Sequence, residues 1–364
     1  MVEKEPTTSK TYIEADWRCR RERYYRTEFE GWGLEPTTLN EDLEIGKRIH
    51  KGLEAFFAPT SDSRSGDAVS TERKALHSVD RLANALHALH SLPTFTEPWQ
   101  TWIEASLIAW ATRVWPRLEK EYEIVLVEPR LKFHHNGVLY KVGPDLVLRS
   151  RVDKSYWVYD FKSFRWWDNK KWLRAIQLQL GAVAVEEELS KPDHKVEVAG
   201  SIIQGISKGT TRGDKLYHPL VYGYRREGEP GVTKAAYSWE YKKGFERFDV
   251  TLYPGGVRAW VAEAPDSVIA DCFPQTPPIY LNRPKMREFL DQRSQRELNI
   301  AHATSVLEDA PADHAAAVLR DEFEQNFSAC ESDRFKCPFF EACHIEAVGK
   351  DPVGSGLFVK REAR

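Results

Sequence analysis

Apolar residues recur at helical spacing over residues 40–57, NEDLEIGKRIHKGLEAFF. Leu43, Ile45, Ile49, Leu53, Phe56 and Phe57 make one broad face, and Asn40 can cap its start. Residues 11–30 also read as helix. Two further helices are expected at about 71–92 and 98–120, divided by Pro93 and Pro98. The texture then changes to short apolar runs typical of strands, at 121–127, 130–134, 138–149 and 155–162. A helix follows at about 170–189, and strands resume near 196–204, 217–225 and 247–253. Helices at about 284–308 and 312–327 precede a cysteine-rich end. The order over 40–204 predicts one α/β core whose sheet the later strands extend, with residues 58–120 as a helical insertion.

Composition narrows the class. The chain has 364 residues, 41% hydrophobic and 29% charged, enough for a large core. No apolar run approaches a bilayer span, and the polar start MVEKEPTTSK has no apolar signal core, so a cytoplasmic protein without membrane contact is expected. The same polarity marks residues 1–10 as a disordered N-terminus. A net charge of −3 confines any nucleic-acid contact to a local patch. Five cysteines in a cytosolic chain point to metal ligands or buried thiols rather than disulfides.

The candidate chemistry lies on two of the strand-like runs. Pro144 and Asp145 stand in KVGPDLVL; Asp160 and Lys162 stand in YWVYDFKS. Antiparallel pairing of these runs brings two carboxylates and an ammonium together. Magnesium takes oxygen ligands and keeps positions open for water and phosphate. A lysine beside it can orient the water or stabilise charge on the phosphate. A strand end with charged residues can equally be only solvated. His50, at the edge of the apolar helix face, is either a boundary histidine or a ligand for a manganese-like ion. Gln179 interrupts the apolar face of the 170–189 helix and needs a partner if buried. Cys330, Cys337 and Cys343 are spaced C-x6-C-x5-C, and Cys19, among five arginines, is the obvious fourth thiol. Four thiolates suit zinc or an iron–sulfur cluster. Cys272 is isolated and reads as structural. The segment SFRWWDNKKWLR combines Arg165, Lys170, Lys171 and Arg174 with Trp166 and Trp167, the composition of a strand-binding loop; Lys208 and Arg212 in GISKGTTRGDKL form a second such patch.

These motifs, in this order, resemble the RecB-type, iron–sulfur-containing branch of the PD-(D/E)XK nucleases, which includes RecB-like nucleases of CRISPR adaptation, the AddB nuclease domain and phage relatives. ADWRCRRERYY resembles the first-cysteine helix and GKRIHKGLE the Gly-x-x-x-His helix. VGPDLVL and VYDFKS resemble the two metal strands, QLGAVA the Gln-x-x-x-Tyr helix, and CPFFEAC the terminal cysteine cluster. The resemblance implies a restriction-endonuclease-like α/β core, a mixed central sheet flanked by helices, with an iron–sulfur module joining the termini. It implies a nuclease domain over 11–329, a cysteine cluster over 330–348 joined to Cys19, and a tail over 349–364. His50, Asp145 and Asp160 would bind Mg2+ or Mn2+ with the carbonyl of Phe161. Lys162 would be the catalytic lysine and Gln179 the helix glutamine. Cys19, Cys330, Cys337 and Cys343 would hold a 4Fe–4S cluster, with Zn2+ as the alternative. DNA would be the partner, and the activity an exonuclease acting on DNA ends, in company with recombination, replication or CRISPR-adaptation proteins. An endonuclease or end processor in a larger complex, a catalytically silent nucleic-acid scaffold and a zinc-stapled interaction protein are the alternatives. Arg20 stands where the family has Pro, and Val183 where it often has Tyr. The six residues between Cys330 and Cys337 replace a usual spacing of two.

Overall fold

A computed structural model describes residues 5–38, 41–58, 78–168, 176–212, 215–228, 235–330, 337–347 and 351–361. The chain divides into two compact units. One comprises residues 41–129 and 143–281; the other comprises 1–40, 130–142 and 282–364.

The first unit is built on α1 (Glu41–Phe57), β1 (Tyr122–Val127), β2 (Leu146–Ser150), β3 (Tyr156–Phe164), α2 (Ile176–Leu189), β4 (Val198–Ser207) and β5 (Ile279–Tyr280). The five strands form one sheet in the order β5-β4-β3-β2-β1. β1, β2 and β3 run antiparallel, β3 and β4 parallel, and β4 and β5 antiparallel, so the sheet is mixed. β3 and β4 are central strands buried on both faces. Their sequences therefore read as near-continuous apolar runs rather than clean alternation. α1 buries Ile45, Ile49, Leu53, Phe56 and Phe57, whereas Leu43, expected on the same face, is exposed in the first turn of the helix. Phe56 and Phe57 meet Trp110 and Trp115 edge to face, and Phe57 stacks on Phe161 of β3. Each such aromatic pair adds about 0.5–1.5 kcal/mol beyond its buried area. α2 packs on the sheet through Gly181: a Cβ there would lie 3.3 Å from Val158 of β3 and 3.9 Å from Pro144. The strands Tyr222–Arg226, Ala236–Ser238 and Glu246–Asp249 form a separate three-stranded sheet and do not extend the central one as expected.

The second unit joins both ends of the chain. Residues 11–30 are not one helix. Helix Lys10–Arg18 stops at Cys19, whose backbone is extended, and a short helix, a π turn and a 3-10 turn follow. Tyr25, Phe29 and Leu34 from the N-terminal segment share one apolar cluster with Phe339, Ala342 and Phe358. Thr7–Ser9, a polar stretch without strand patterning, pairs with Val138–Val142, and Leu34–Pro36 pairs with Phe358–Lys360. Asp16, Arg23, Arg293 and Glu297 are buried charges that hydrogen-bond one another: Arg293 reaches Asp16 at 2.6 Å and Arg23 reaches Glu297 at 3.0 Å. Loss of one partner from such a set leaves a buried charge uncompensated, at a cost of about 3–5 kcal/mol.

The run 138–149 is two strands rather than one. Val138–Val142 belongs to the second unit, Leu146–Ser150 to the first. Pro144 lacks an N–H for a ladder, so the break falls at Gly143-Pro144-Asp145.

Candidate metal centre

The geometry follows from register. β2 and β3 pair Leu146 with Tyr159, and β1 and β2 pair Val127 with Leu146. Continuing each ladder by one residue sets Asp145 opposite Asp160 on one side and opposite Glu128 on the other. Glu128, one residue past β1, and Asp145, one residue before β2, therefore form a row with Asp160 in the middle of β3. Backbone bonds fix the row: Glu128 N–H donates to the Asp145 carbonyl at 2.8 Å, and Phe161 N–H donates to Asp145 Oδ2 at 2.5 Å. Asp145 and Asp160 are 7% and 6% exposed, too buried for uncompensated carboxylates.

Two cations compensate the row. His50, on α1, places Nδ1 3.2 Å from Asp145 Oδ1 and 3.8 Å from Glu128 Oε1. Burial alone would lower the His50 pKa, but the hydrogen bonds to Asp145 and Glu128 outweigh it and hold it up at about 10. Burial likewise pushes the Asp145 carboxyl up, yet the His50 hydrogen bond and charge, helped by Lys162 and the Phe161 N–H, keep it below its ordinary value. Lys162 lies two residues along β3 from Asp160, hence on the same face. Its Nζ pairs with Asp160 Oδ2 and donates to the Phe161 carbonyl at 3.0 Å. The carbonyl implied as a ligand thus has Lys162 as its neighbour.

Among the described residues, His50, Glu128 and Asp145 offer ligand atoms within 4.8 Å of one another. One imidazole and two carboxylates form a donor set that suits a divalent cation of the magnesium or manganese kind. His50 has to give up its proton to serve as a ligand. Glu128 was not singled out from the sequence. Its signal was position: a carboxylate directly after a strand and before Pro129. Its backbone φ of 42° lies in the left-handed region, a conformation that costs a non-glycine residue of order 1 kcal/mol and turns the side chain where an extended residue could not put it.

Gln179 is half-buried on α2, two residues before Gly181 and its contacts with β3 and Pro144. Of the basic and aromatic candidates, Trp166 is 81% exposed. Trp167 instead packs against Phe164 and lies against Gly205, where a Cβ would come within 2.7 Å of its ring. Arg165 lies over Trp99 and pairs with Asp42 at 3.4 Å. Lys208 is buried, bound to Asp42 Oδ1 at 3.0 Å. Lys170, Lys171 and Arg174 fall outside the described residues, as does the side chain of Arg212.

The family model for the PD-(D/E)XK nuclease superfamily matches residues 7–344. The chain belongs to the PD-(D/E)XK nuclease superfamily. Members are metal-dependent nucleases, and this chain is one by family, with DNA as the substrate class. No curated protein matches the chain. No helix among the described residues is long and apolar enough to cross a membrane.

Four of the five cysteines of this nuclease, Cys19, Cys330, Cys337 and Cys343, lie in the second unit. Cys19 is buried; its Sγ accepts from the Asn326 N–H at 3.3 Å. Burial pushes Cys337 up to about 11 and Cys343 up to about 12. Repulsion from Cys19 and Cys330 adds to both shifts. Among the described residues, no three of the sulfurs lie within 4.8 Å of one another. A zinc tetrahedron with Zn–S bonds of about 2.3 Å sets its sulfurs about 3.8 Å apart. Cys272 is buried in the core of the first unit, where burial pushes its thiol up to about 12.

Proposed function

We propose that this chain is an Mg2+- or Mn2+-dependent deoxyribonuclease that hydrolyses phosphodiester bonds at DNA ends. The observation that carries the reading is the row of Glu128, Asp145 and Asp160 with His50 on one side and Lys162 on the other. His50, Asp145 and Asp160 would hold the metal with the Phe161 carbonyl, and Glu128, whose carboxylate lies near His50 and Asp145, would join them. The bound cation supplies a polarised water and neutralises charge on the phosphate. Lys162, already held at Asp160, orients that water or stabilises the pentacovalent phosphate. Gln179 serves the helix-glutamine role toward the DNA. Action at ends rests on the likeness of the six motifs to the RecB-type branch.

The second half of the proposal is that Cys19, Cys330, Cys337 and Cys343 ligate a 4Fe–4S cluster with a structural role. Cys19 and Cys343, from distant parts of the sequence, line one cavity, which supports it. The test is an anaerobic preparation analysed for iron and sulfide, then assayed on end-labelled single- and double-stranded DNA with and without magnesium or manganese. The expected result is a brown protein with about four iron and four sulfide per chain that shortens labelled DNA only with the divalent ion. Metal-independent cleavage, or none, refutes the enzyme. A colourless protein with about one zinc refutes the cluster alone.

A further inference from the structure

The second unit has a cavity of about 1130 Å³ lined by Arg18, Arg20, Arg21, Arg296 and Arg320. Only two carboxylates, Asp16 and Glu324, share the lining. In a chain of net charge −3 this is a concentrated cationic surface. The arginines are held in place. Arg21 donates to the Leu319 and Phe323 carbonyls at 2.8 and 2.9 Å, and Arg20 to the Glu322 carbonyl at 3.1 Å. Carbonyl partners position these guanidinium groups without cancelling their charge, whereas Arg18 is ion-paired with Glu22 at 2.6 Å and Arg296 with Asp16 at 3.0 Å. The Nε of Arg20 is buried without a hydrogen-bond partner among the described residues, 4.0 Å from Asp16 Oδ1.

Two aromatic side chains line the same cavity and face solvent. Trp17 is 56% exposed and Phe327 68% exposed. Trp17 keeps an edge contact with Phe289 and is otherwise open. Guanidinium groups for phosphates and open rings for unpaired bases are together the chemistry that grips a single strand without reading its sequence. A duplex hides its base faces and would use only the arginines.

We propose that this cavity binds single-stranded DNA, with Arg18, Arg20 and Arg320 on the phosphates and Trp17 and Phe327 stacked on bases. The proposal rests on the nuclease reading for the identity of the polyanion and extends it to a strand-holding site in the second unit. Cys19 and Cys343 also line the cavity, so the competing role for the arginines is to offset thiolate charge.

The test measures binding of fluorescein-labelled oligo-dT and of a blunt hairpin duplex to the full chain, with calcium replacing magnesium so that cleavage does not intervene. Arg320→Glu changes a 74% exposed side chain that pairs with the adjacent Asp321, and Trp17→Ala/Phe327→Ala changes two exposed rings. Arg320→Glu should weaken oligo-dT binding about tenfold and flatten its salt dependence. The ring variant should weaken it at least tenfold with the salt dependence unchanged, and leave the duplex unaffected. Native oligo-dT affinity in both variants, or equal losses on duplex and oligo-dT in the ring variant, overturns the proposal. So does an Arg320→Glu variant that loses iron while keeping oligo-dT affinity, since the arginines then serve the thiols. Failure of the nuclease reading shows separately, as absence of cleavage by the native chain with magnesium or manganese.

Discussion

The two units hold their reactive groups by opposite means. In the first, hydrogen-bonded register places Glu128, Asp145 and Asp160 side by side, and His50 and Lys162 offset two of their three charges. In the second, four thiols from opposite ends of the sequence approach one another on short helices and turns. Burial keeps Cys337 and Cys343 protonated there. A site made by a ladder is organised before its ion arrives. The proposed site of buried thiols would be completed by what it binds, because the ligand form is the thiolate. Loss of metal should therefore cost the first unit activity and the second unit stability.

The sharpest way to break that contrast is through β3. Asp160→Ala and Lys162→Ala should each lower cleavage by at least about a hundredfold while thermal unfolding changes little. A large fall in melting temperature with near-native rate per folded molecule would show that the row is structural. The cysteine unit should behave inversely. Cys19→Ser or Cys343→Ser should remove the bound metal and cost several kcal/mol, because binding energy at such a site is folding energy. Cys272→Ser should leave metal content unchanged, which iron analysis and calorimetry can check together.

Glu128→Gln sharpens the comparison within the row. It keeps the side-chain size and removes one charge near His50. The expected outcome is a rise of about tenfold in the magnesium concentration for half-maximal rate, with a smaller change in the maximal rate. An unchanged magnesium titration would leave Glu128 as a partner of His50 only.

The smallest effect concerns His218, in the first unit. It is buried, accepts from the Leu220 N–H through Nδ1, and burial pulls its pKa down to about 3. An unfolded histidine titrates near 6.5, so the unfolded chain takes up a proton that the folded chain refuses. The stabilisation is complete above about pH 6.5 and is lost as pH falls toward 3. Between pH 6 and 4.5 this amounts to about 2 kcal/mol. His50, held up at about 10, is protonated in the folded form throughout that window and mostly so when unfolded, so it adds little. Denaturant unfolding at several pH values should show the slope, and a His218→Gln variant should flatten it.

How much of this was legible in the sequence depended on where the determining contacts lie. α1 was readable because a helix face is a local pattern, and Asp145 opposite Asp160 followed from two apolar runs joined by a short link. The division at Gly143 was not, since alternation continues through it and only the lack of a proline N–H marks the break. Glu128 was missed because its role comes from a neighbouring strand and a left-handed backbone, neither of which leaves a motif. Thr7–Ser9 became a strand by pairing with Val138–Val142, a parallel contact that a polar tripeptide cannot advertise. Trp166 and Trp167 stand side by side in the sequence, yet one is open to solvent and the other lies on Gly205.

The carboxylate row has a consequence for how such an enzyme can vary. Its members keep their spacing because neighbouring strands do, so their geometry is inherited from the sheet rather than negotiated by each side chain. A single-residue deletion within Leu146–Ser150 would turn Asp145 to the opposite face and remove it from both neighbours at once. An insertion at the exposed tip of the link, around Val152, leaves those pairings available. Drift in this lineage is therefore expected to accumulate as loop length and surface chemistry, while the count of residues within the strands stays fixed.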